Sequence, residues 1–143
     1  MKNHNSSAAA AARASQEDPI VMYLVVRESL NMTTGKACAQ AGHAVGMLMQ
    51  KYFIAEITND ITLLTNKHEI FNQWLDGSFR KVVLSADDKE WENIKEHFEI
   101  GEIVVVVDAV LTQLKPMTET VIGVWPLHKS TQPKVLKKLQ VLK

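Results

Sequence analysis

Continuous apolar runs alternate with amphipathic segments along this chain. Three of the runs have the length of a strand: IVMYLVV at 20–26, KVVL at 81–84 and IVVVV at 103–107. A fourth, TVIGVW at 120–125, ends at a proline. Runs that are apolar on both sides are typical of strands buried between two layers, so the four runs predict the strands of a central sheet.

Segments with helical periodicity separate these strands. Thr33 or Thr34 is a suitable N-cap for a helix from about Gly35 to Tyr52. A second helix is predicted to end at the turn signal Asp76-Gly77, and a third to begin after a cap at Ser85. Their inward-facing positions are Ile70, Phe71, Trp74, Leu75, Trp91, Ile94 and Phe98. The segment from 134 to 142 is predicted to form a short helix or a final extended piece.

Strands that alternate with helical crossovers and end in a closing pair predict an α/β fold. We expect a three-layer sandwich, in which a mixed, mostly parallel four-stranded sheet has helices on both faces. Residues 19–143 then form a single domain. Residues 1–18 are rich in Ala and Ser and are predicted to be a disordered leader, because Lys2 and Arg13 alone make a poor mitochondrial presequence.

Composition excludes some classes of protein and leaves two interpretations of the lysine-rich segment after Glu119. The 143 residues carry 16 basic and 16 acidic side chains, so bulk charge does not indicate a nucleic-acid partner. No apolar run is long enough to span a membrane. One cysteine excludes a disulfide framework and favours the reducing cytoplasm. No acidic residue follows Glu119, so the lysines at 129, 134, 137, 138 and 143 form either a solvated segment or a basic contact surface.

The first helix has two different stripes. Lys36, Gln40 and His43 share one side, and a small apolar stripe containing Cys38 is predicted to pack on the sheet. Lys36 lies in the first turn, where the helix dipole favours an anion, so it is either an exposed lysine or the contact for a bound anion. A Walker phosphate loop is excluded, since Leu30 and Ala37 stand where that motif needs Gly and Ser or Thr.

A second set of polar residues follows the strand 103–107. Asp108 comes directly after four valines, and Thr112, Gln113, Thr118 and Thr120 lie nearby in the chain. Ligands of open α/β sheets gather beyond the carboxyl ends of parallel strands, which places Asp108 beside the first helix. Asp108 is therefore either a turn former or one wall of a polar cleft. No residues have metal-ligand spacing, and no G-x-S-x-G motif is present.

Both polar segments resemble one known family, the archaeal and eukaryotic (type two) peptidyl-tRNA hydrolases. The likeness covers about residues 20–143. It rests on motifs in the same order and spacing: Tyr23-Leu24-Val25-Val26-Arg27, Gly35-Lys36, Ala39-Gln40, His43-Ala44, Trp74, Gly77, Lys81-Val82-Val83-Leu84, Asp108-Ala109, Thr112-Gln113, Pro116, Thr120-Val121 and Pro126. Two glycines of the family are replaced here, by Val110 and Met117.

The resemblance implies an α/β domain, often a homodimer, that hydrolyses the ester between a peptide and the terminal ribose of tRNA without a metal or an organic cofactor. The residues it implicates in catalysis are Lys36, Asp108, Thr112 and Gln40. It also implicates His43 and Thr120, which are expected to bind substrate together with Gln113 and Arg27, two residues that stand within the matching motifs. The alternative is a non-catalytic module that binds RNA or protein on the same fold.

Overall fold

The computed structural model describes residues 17–58, 66–108 and 117–143. Its strands are β1 (Ile20–Arg27), β2 (Arg80–Ala86), β3 (Ile103–Val107), β4 (Glu119–Val124), β5 (Leu127–His128) and β6 (Gln140–Val141). Its helices are α1 (Thr34–Thr58), α2 (Asn66–Asp76), α3 (Asp88–His97) and α4 (Lys134–Lys137). Within these segments, no helix combines the length and the apolar character needed to cross a membrane.

The sheet is mixed, with strand order β3-β4-β1-β2-β6 and with β5 paired to the start of β1. β1, β2 and β3 point in one direction. Only β1 and β2 form a directly parallel pair, because the antiparallel β4 lies between β3 and β1. The carboxyl ends of β1, β2 and β3 therefore meet at one edge of the sheet, which we call the carboxyl edge.

Helices cover both faces of the sheet. On one face α1 and α2 bury Leu48, Phe71 and Trp74 against β1, β3 and β4. On the other face Trp91 and Ile94 of α3 pack against the alternate side chains of the same strands. We refer to the two sides as the α1 face and the α3 face. The predicted α/β sandwich is confirmed, and two strands of two residues each extend its four-stranded sheet to six.

The first helix packs closely on β3 and β4. Thr33 caps it, since the Lys36 backbone N–H donates to Thr33 Oγ1 and the Ala37 N–H to the Thr33 carbonyl. A Cβ added to Gly123 of β4 would lie 3.1 Å from the Ala44 Cβ and 2.9 Å from Val104 Cγ2. Glycine is needed at position 123 because α1 and β3 leave no room for a side chain there.

Two local details differ from the sequence-based expectation or extend it. The cap of α3 is Asp87 and not Ser85, because β2 continues to Ala86 and the Asp87 carboxylate accepts the Glu90 N–H at 2.8 Å. Met117 has a φ of 67°, in the left-handed region that favours glycine. That conformation fits a position where the resembling family has glycine. Val110 lies outside the described residues.

Candidate active site

Lys36 and Asp108 form an ion pair at the carboxyl edge. The Lys36 ammonium lies 3.2 Å from both carboxylate oxygens of Asp108. The Asp108 side chain is 1% exposed and that of Lys36 is 19% exposed. A carboxylate buried to this degree needs a compensating charge, and Lys36 supplies it. The pair joins the first turn of α1 to the end of β3, as the positions of the two residues in the chain predicted.

Gln40 and Thr120 form a second polar pair beside the first. Gln40 follows Lys36 by one helical turn, and residues at this spacing are neighbours on a helix surface. The Thr120 hydroxyl lies 3.0 Å from Gln40 Oε1 and 3.2 Å from the Val106 carbonyl oxygen. Its single proton can serve one of these acceptors at a time. Both side chains are buried, so the pair is a fixed part of the polar site beside Lys36.

Gln40 keeps a donor for a ligand. Its side-chain oxygen accepts from Thr120, while its amide nitrogen makes no hydrogen bond to the part of the chain that the structure describes. Lys36 still exposes a fifth of its side chain. An ammonium group and an amide N–H in neighbouring positions are suitable donors for an oxygen that gains negative charge.

Arg27 lies on the other side of the sheet from Lys36. It follows Val25 by two residues in β1, so its side chain points to the α3 face, where it lies over the Trp91 ring. Its Nε donates to Asp88 at 3.0 Å. Hydrogen bonds from Ser29 and Arg27 hold the pKa of the Asp88 carboxyl below its ordinary value. The structure therefore brings Arg27 to the carboxyl edge, but on the opposite face of the sheet from the ion pair of Lys36 and Asp108.

Of the three remaining predicted site residues, the structure describes one. His43 is exposed on α1, about 10 Å along the helix axis from Lys36. Thr112 and Gln113 lie outside the described residues. Sequence reasoning missed two backbone groups of the site, the Val106 carbonyl and the Thr118 carbonyl, which accepts the Asp108 N–H at 2.8 Å. Every residue has a backbone carbonyl, so the sequence does not show which of these groups will accept a hydrogen bond in the site.

The prediction that Cys38 belongs to the core is wrong. The helix rests on the sheet through its small and apolar residues Ala37, Ala44 and Leu48, and Cys38 is turned about 100° away from Ala37. The thiol is exposed, on the wall of an open groove of about 500 Å³ beside β2 and β6. The predicted small stripe was therefore rotated relative to the face that is buried.

We expect native protein to react with one equivalent of a maleimide at Cys38 without denaturant. An exposed thiol on a helix surface needs no unfolding to meet the reagent. Intact mass spectrometry over time, with and without urea, measures the two rates. The exposed position predicts rates within about tenfold of each other, whereas labelling that requires urea would contradict it.

The buried polar residues at the carboxyl edge are held by hydrogen bonds to one another. This arrangement is typical of α/β proteins that bind a small reacting group in a preformed polar site. Within the described residues, no three His, Cys, Asp or Glu side chains are grouped so as to hold a metal ion. The site is thus a lysine–carboxylate pair with an adjoining amide–hydroxyl pair.

Comparisons with known proteins identify the family. The family model described as peptidyl-tRNA hydrolase PTH2 matches residues 20–142. A peptidyl-tRNA hydrolase of Thermoplasma acidophilum is 32% identical over 124 residues, 85% of this chain and 97% of that protein. One of Pyrobaculum aerophilum is 32% identical over 127 residues, 87% of this chain and 98% of that protein. The chain belongs to the PTH2 family of peptidyl-tRNA hydrolases.

Proposed function

We propose that this protein hydrolyses the ester bond of peptidyl-tRNA, releasing a peptide and a tRNA that can be charged again. The observation that carries the proposal is the buried contact between Lys36 and Asp108, at 3.2 Å to both carboxylate oxygens. Membership of the family supplies the substrate, since its members are named for peptidyl-tRNA. The cleft supplies groups suited to ester hydrolysis.

The proposed reaction begins with attack of water on the ester carbonyl. The Asp108 carboxylate accepts a proton as the water oxygen bonds to the carbonyl carbon. Lys36 balances the charge of this carboxylate in its buried position. When the bond between the carbonyl carbon and the ribose oxygen breaks, the proton returns from Asp108 to the ribose oxygen. The products are the peptide acid and tRNA with a free ribose hydroxyl.

Charge that develops on the carbonyl oxygen is stabilised by donors already in place. The Lys36 ammonium and the Gln40 amide lie on one side of α1, one turn apart. Thr120 fixes the Gln40 amide by its hydrogen bond at 3.0 Å, so no reorganisation is needed during the reaction. Thr112, which follows Asp108 by four residues, is proposed to complete this arrangement, with Gln113 and His43 contacting the RNA.

A single-turnover assay tests the proposed function. Purified protein is mixed with a labelled peptidyl-tRNA, with EDTA in one arm and without it in the other, and peptide release is followed. We expect release in both arms, and release slowed about 10³-fold with Asp108→Asn at matched concentration. A folded wild-type protein that binds the substrate but releases no peptide would overturn the proposal. That outcome would instead favour the non-catalytic binding module.

The alternative of a binding module is not favoured. Its support was the loop 110–117, which contains Val110, Leu111 and the exposed Met117. A binding module has no need for a buried ion pair beside a buried amide–hydroxyl pair, because burial of these groups costs free energy that packing alone would not require.

The single cysteine supports the cytoplasm, where peptidyl-tRNA arises, as the site of action.

The basic segment near the end of the chain is proposed to contact the tRNA backbone. Gln140 of β6 pairs with Ser85 near the end of β2, so Lys137 and Lys138 approach the carboxyl edge just before it. Both lysines are exposed. No acidic residue lies between 120 and 143 to neutralise them locally. Backbone phosphates passing this edge would meet two positive charges.

We therefore expect the double substitution Lys137→Gln and Lys138→Gln to weaken tRNA binding. Each lost phosphate contact reduces the slope of log affinity against log salt by about 1. Fluorescence anisotropy across a salt series measures the slope, and kcat at saturation should be unchanged. Lys129→Gln is the matched control, because Lys129 belongs to the same segment but its backbone joins Pro19 at the opposite edge. Equal slopes in both variants would refute the assignment.

Two copies of the chain are proposed to associate through the exposed end of α1. Phe53, Ile54 and Ile57 are 44%, 48% and 82% exposed on adjacent turns. A cluster of exposed apolar side chains is typical of a protein interface. We expect Ile54→Lys to convert a dimer to a monomer in light scattering after gel filtration. Ile100→Lys is the control, since Ile100 is 92% exposed on another part of the chain; a mass unchanged in both would refute the interface.

A further inference from the structure

The pairing of β3 with β4 contains an irregularity at the active site. Val106 pairs with Val121, but the next residue, Val107, pairs with Glu119. Thr120 is therefore the extra residue of a β-bulge. Bulges re-aim a side chain next to the ladder they interrupt. The bulged residue Thr120 belongs to the candidate site, and so does Asp108, which follows Val107 on the partner strand.

The bulge decides which side chain of β4 faces the cleft. Val121 packs on the α1 face, and Thr120 also points there, toward Gln40. Glu119 points to the α3 face, where it meets Lys95 and Trp91. Successive side chains of a regular strand alternate. Without the bulge, Thr120 would face α3 and the Glu119 carboxylate would point into the cleft.

We propose that Glu119 is a positioning residue for the active site, holding the bulge in register by its contacts with α3. Glu119 Oε1 lies 2.7 Å from the Lys95 ammonium, and Oε2 lies 3.1 Å from it. These contacts keep Thr120 turned toward Gln40 from the opposite side of the sheet. The inference rests on the proposed function, since it assigns a role in the same site.

One partner of Glu119 belongs to the core. Trp91 is fully buried and its ring N–H donates to Glu119 Oε1 at 3.3 Å. Burial alone would raise the pKa of Glu119, but hydrogen bonds from Lys95 and Trp91 outweigh it and hold the pKa below its ordinary value. These hydrogen bonds hold the Glu119 carboxylate on the α3 face of the sheet.

Charge reversal tests this role. We expect Glu119→Lys and Lys95→Glu each to lower kcat by about tenfold, because a misplaced Thr120 no longer orients Gln40. KM should change little, and the double reversal should restore most of kcat by re-forming the pair. The control is reversal of Lys67 and Glu102, which are also 2.7 Å apart but lie elsewhere. If Glu119→Lys fails to fold, Glu119→Gln and Lys95→Met provide the same comparison with smaller expected losses.

A second readout does not depend on activity. The methyl resonance of Thr120 reports its surroundings by NMR, and we expect it to shift in each single reversal and to return in the double. Full kcat and an unmoved Thr120 signal in folded Glu119→Lys protein would overturn the inference. A wild-type protein that is inactive, with the Thr120 signal still moving in the variants, would overturn the proposed function and leave the positioning role supported.

Discussion

Asp108→Asn is expected to reduce kcat by about 10³-fold while the protein remains folded. The amide has the shape of the carboxylate, but it cannot accept a proton from water at neutral pH. Loss of a general base costs between about 10² and 10⁴ in rate. The substitution also leaves the Lys36 ammonium without the charge it now contacts at 3.2 Å, so a modest loss of stability should accompany it.

Single-turnover rates with saturating enzyme isolate the chemical step for this variant, and circular dichroism reports its fold. Lys36→Met is the complementary change, because it removes the positive charge and keeps the aliphatic length. Equal losses in the two single variants and no further loss in the double would show that the pair acts as a unit. Retention of more than about a tenth of kcat in Asp108→Asn would exclude Asp108 as the general base.

Gly123→Val is expected to destabilise the fold by about 3 kcal/mol and to reduce activity in the molecules that remain folded. The new side chain would begin 2.9 Å from Val104 and 3.1 Å from Ala44, and neither of these short side chains can swing aside. The helix must then lift from β4. Because α1 carries Lys36 and Gln40, this movement separates them from Asp108 and Thr120.

Urea denaturation measures the stability of this variant. The kcat value measured at urea concentrations below the unfolding transition reports the displacement of α1 from β4. Gly46→Ala is the matched control on the same helix, since nothing lies within 4 Å of a Cβ added there. It should stabilise the protein by about 0.5 to 1 kcal/mol, because alanine is the better helix former. Gly123→Val protein as stable as the control would show that α1 does not rest closely on β4.

The order of elements and the meeting of Lys36 with Asp108 were predictable from the sequence. Apolar runs marked the strands, and both residues follow strands that point in one direction, Asp108 directly and Lys36 at the start of the next helix. The face of α1 was not predictable in the same way. Ala, Gly, Cys and Met occur on several sides of this helix, so polarity gave little contrast, and Cys38 was assigned to the wrong side.

Alternation of side chains along a strand accounts for the position of Arg27 but not for that of Thr120. Arg27 shares the parity of Val21, Tyr23 and Val25, and strict alternation alone would have placed it on the α3 face. Thr120 breaks alternation through the bulge, which no residue type between 119 and 121 announces. Its contact with Gln40 therefore needed the coordinates, as did the pairing of Glu119 with Lys95 across 24 residues.

The strand order has a consequence for the time at which activity first arises during synthesis. β4 lies between β3 and β1 in space, although it follows both along the chain. Until residues 119–124 have left the ribosome, β3 has no neighbour in the sheet and Gln40 has no Thr120. A growing copy of this protein is itself a peptidyl-tRNA. Insertion of this late strand between β3 and β1 thus postpones assembly of the hydrolytic site while the chain is still attached to its own tRNA.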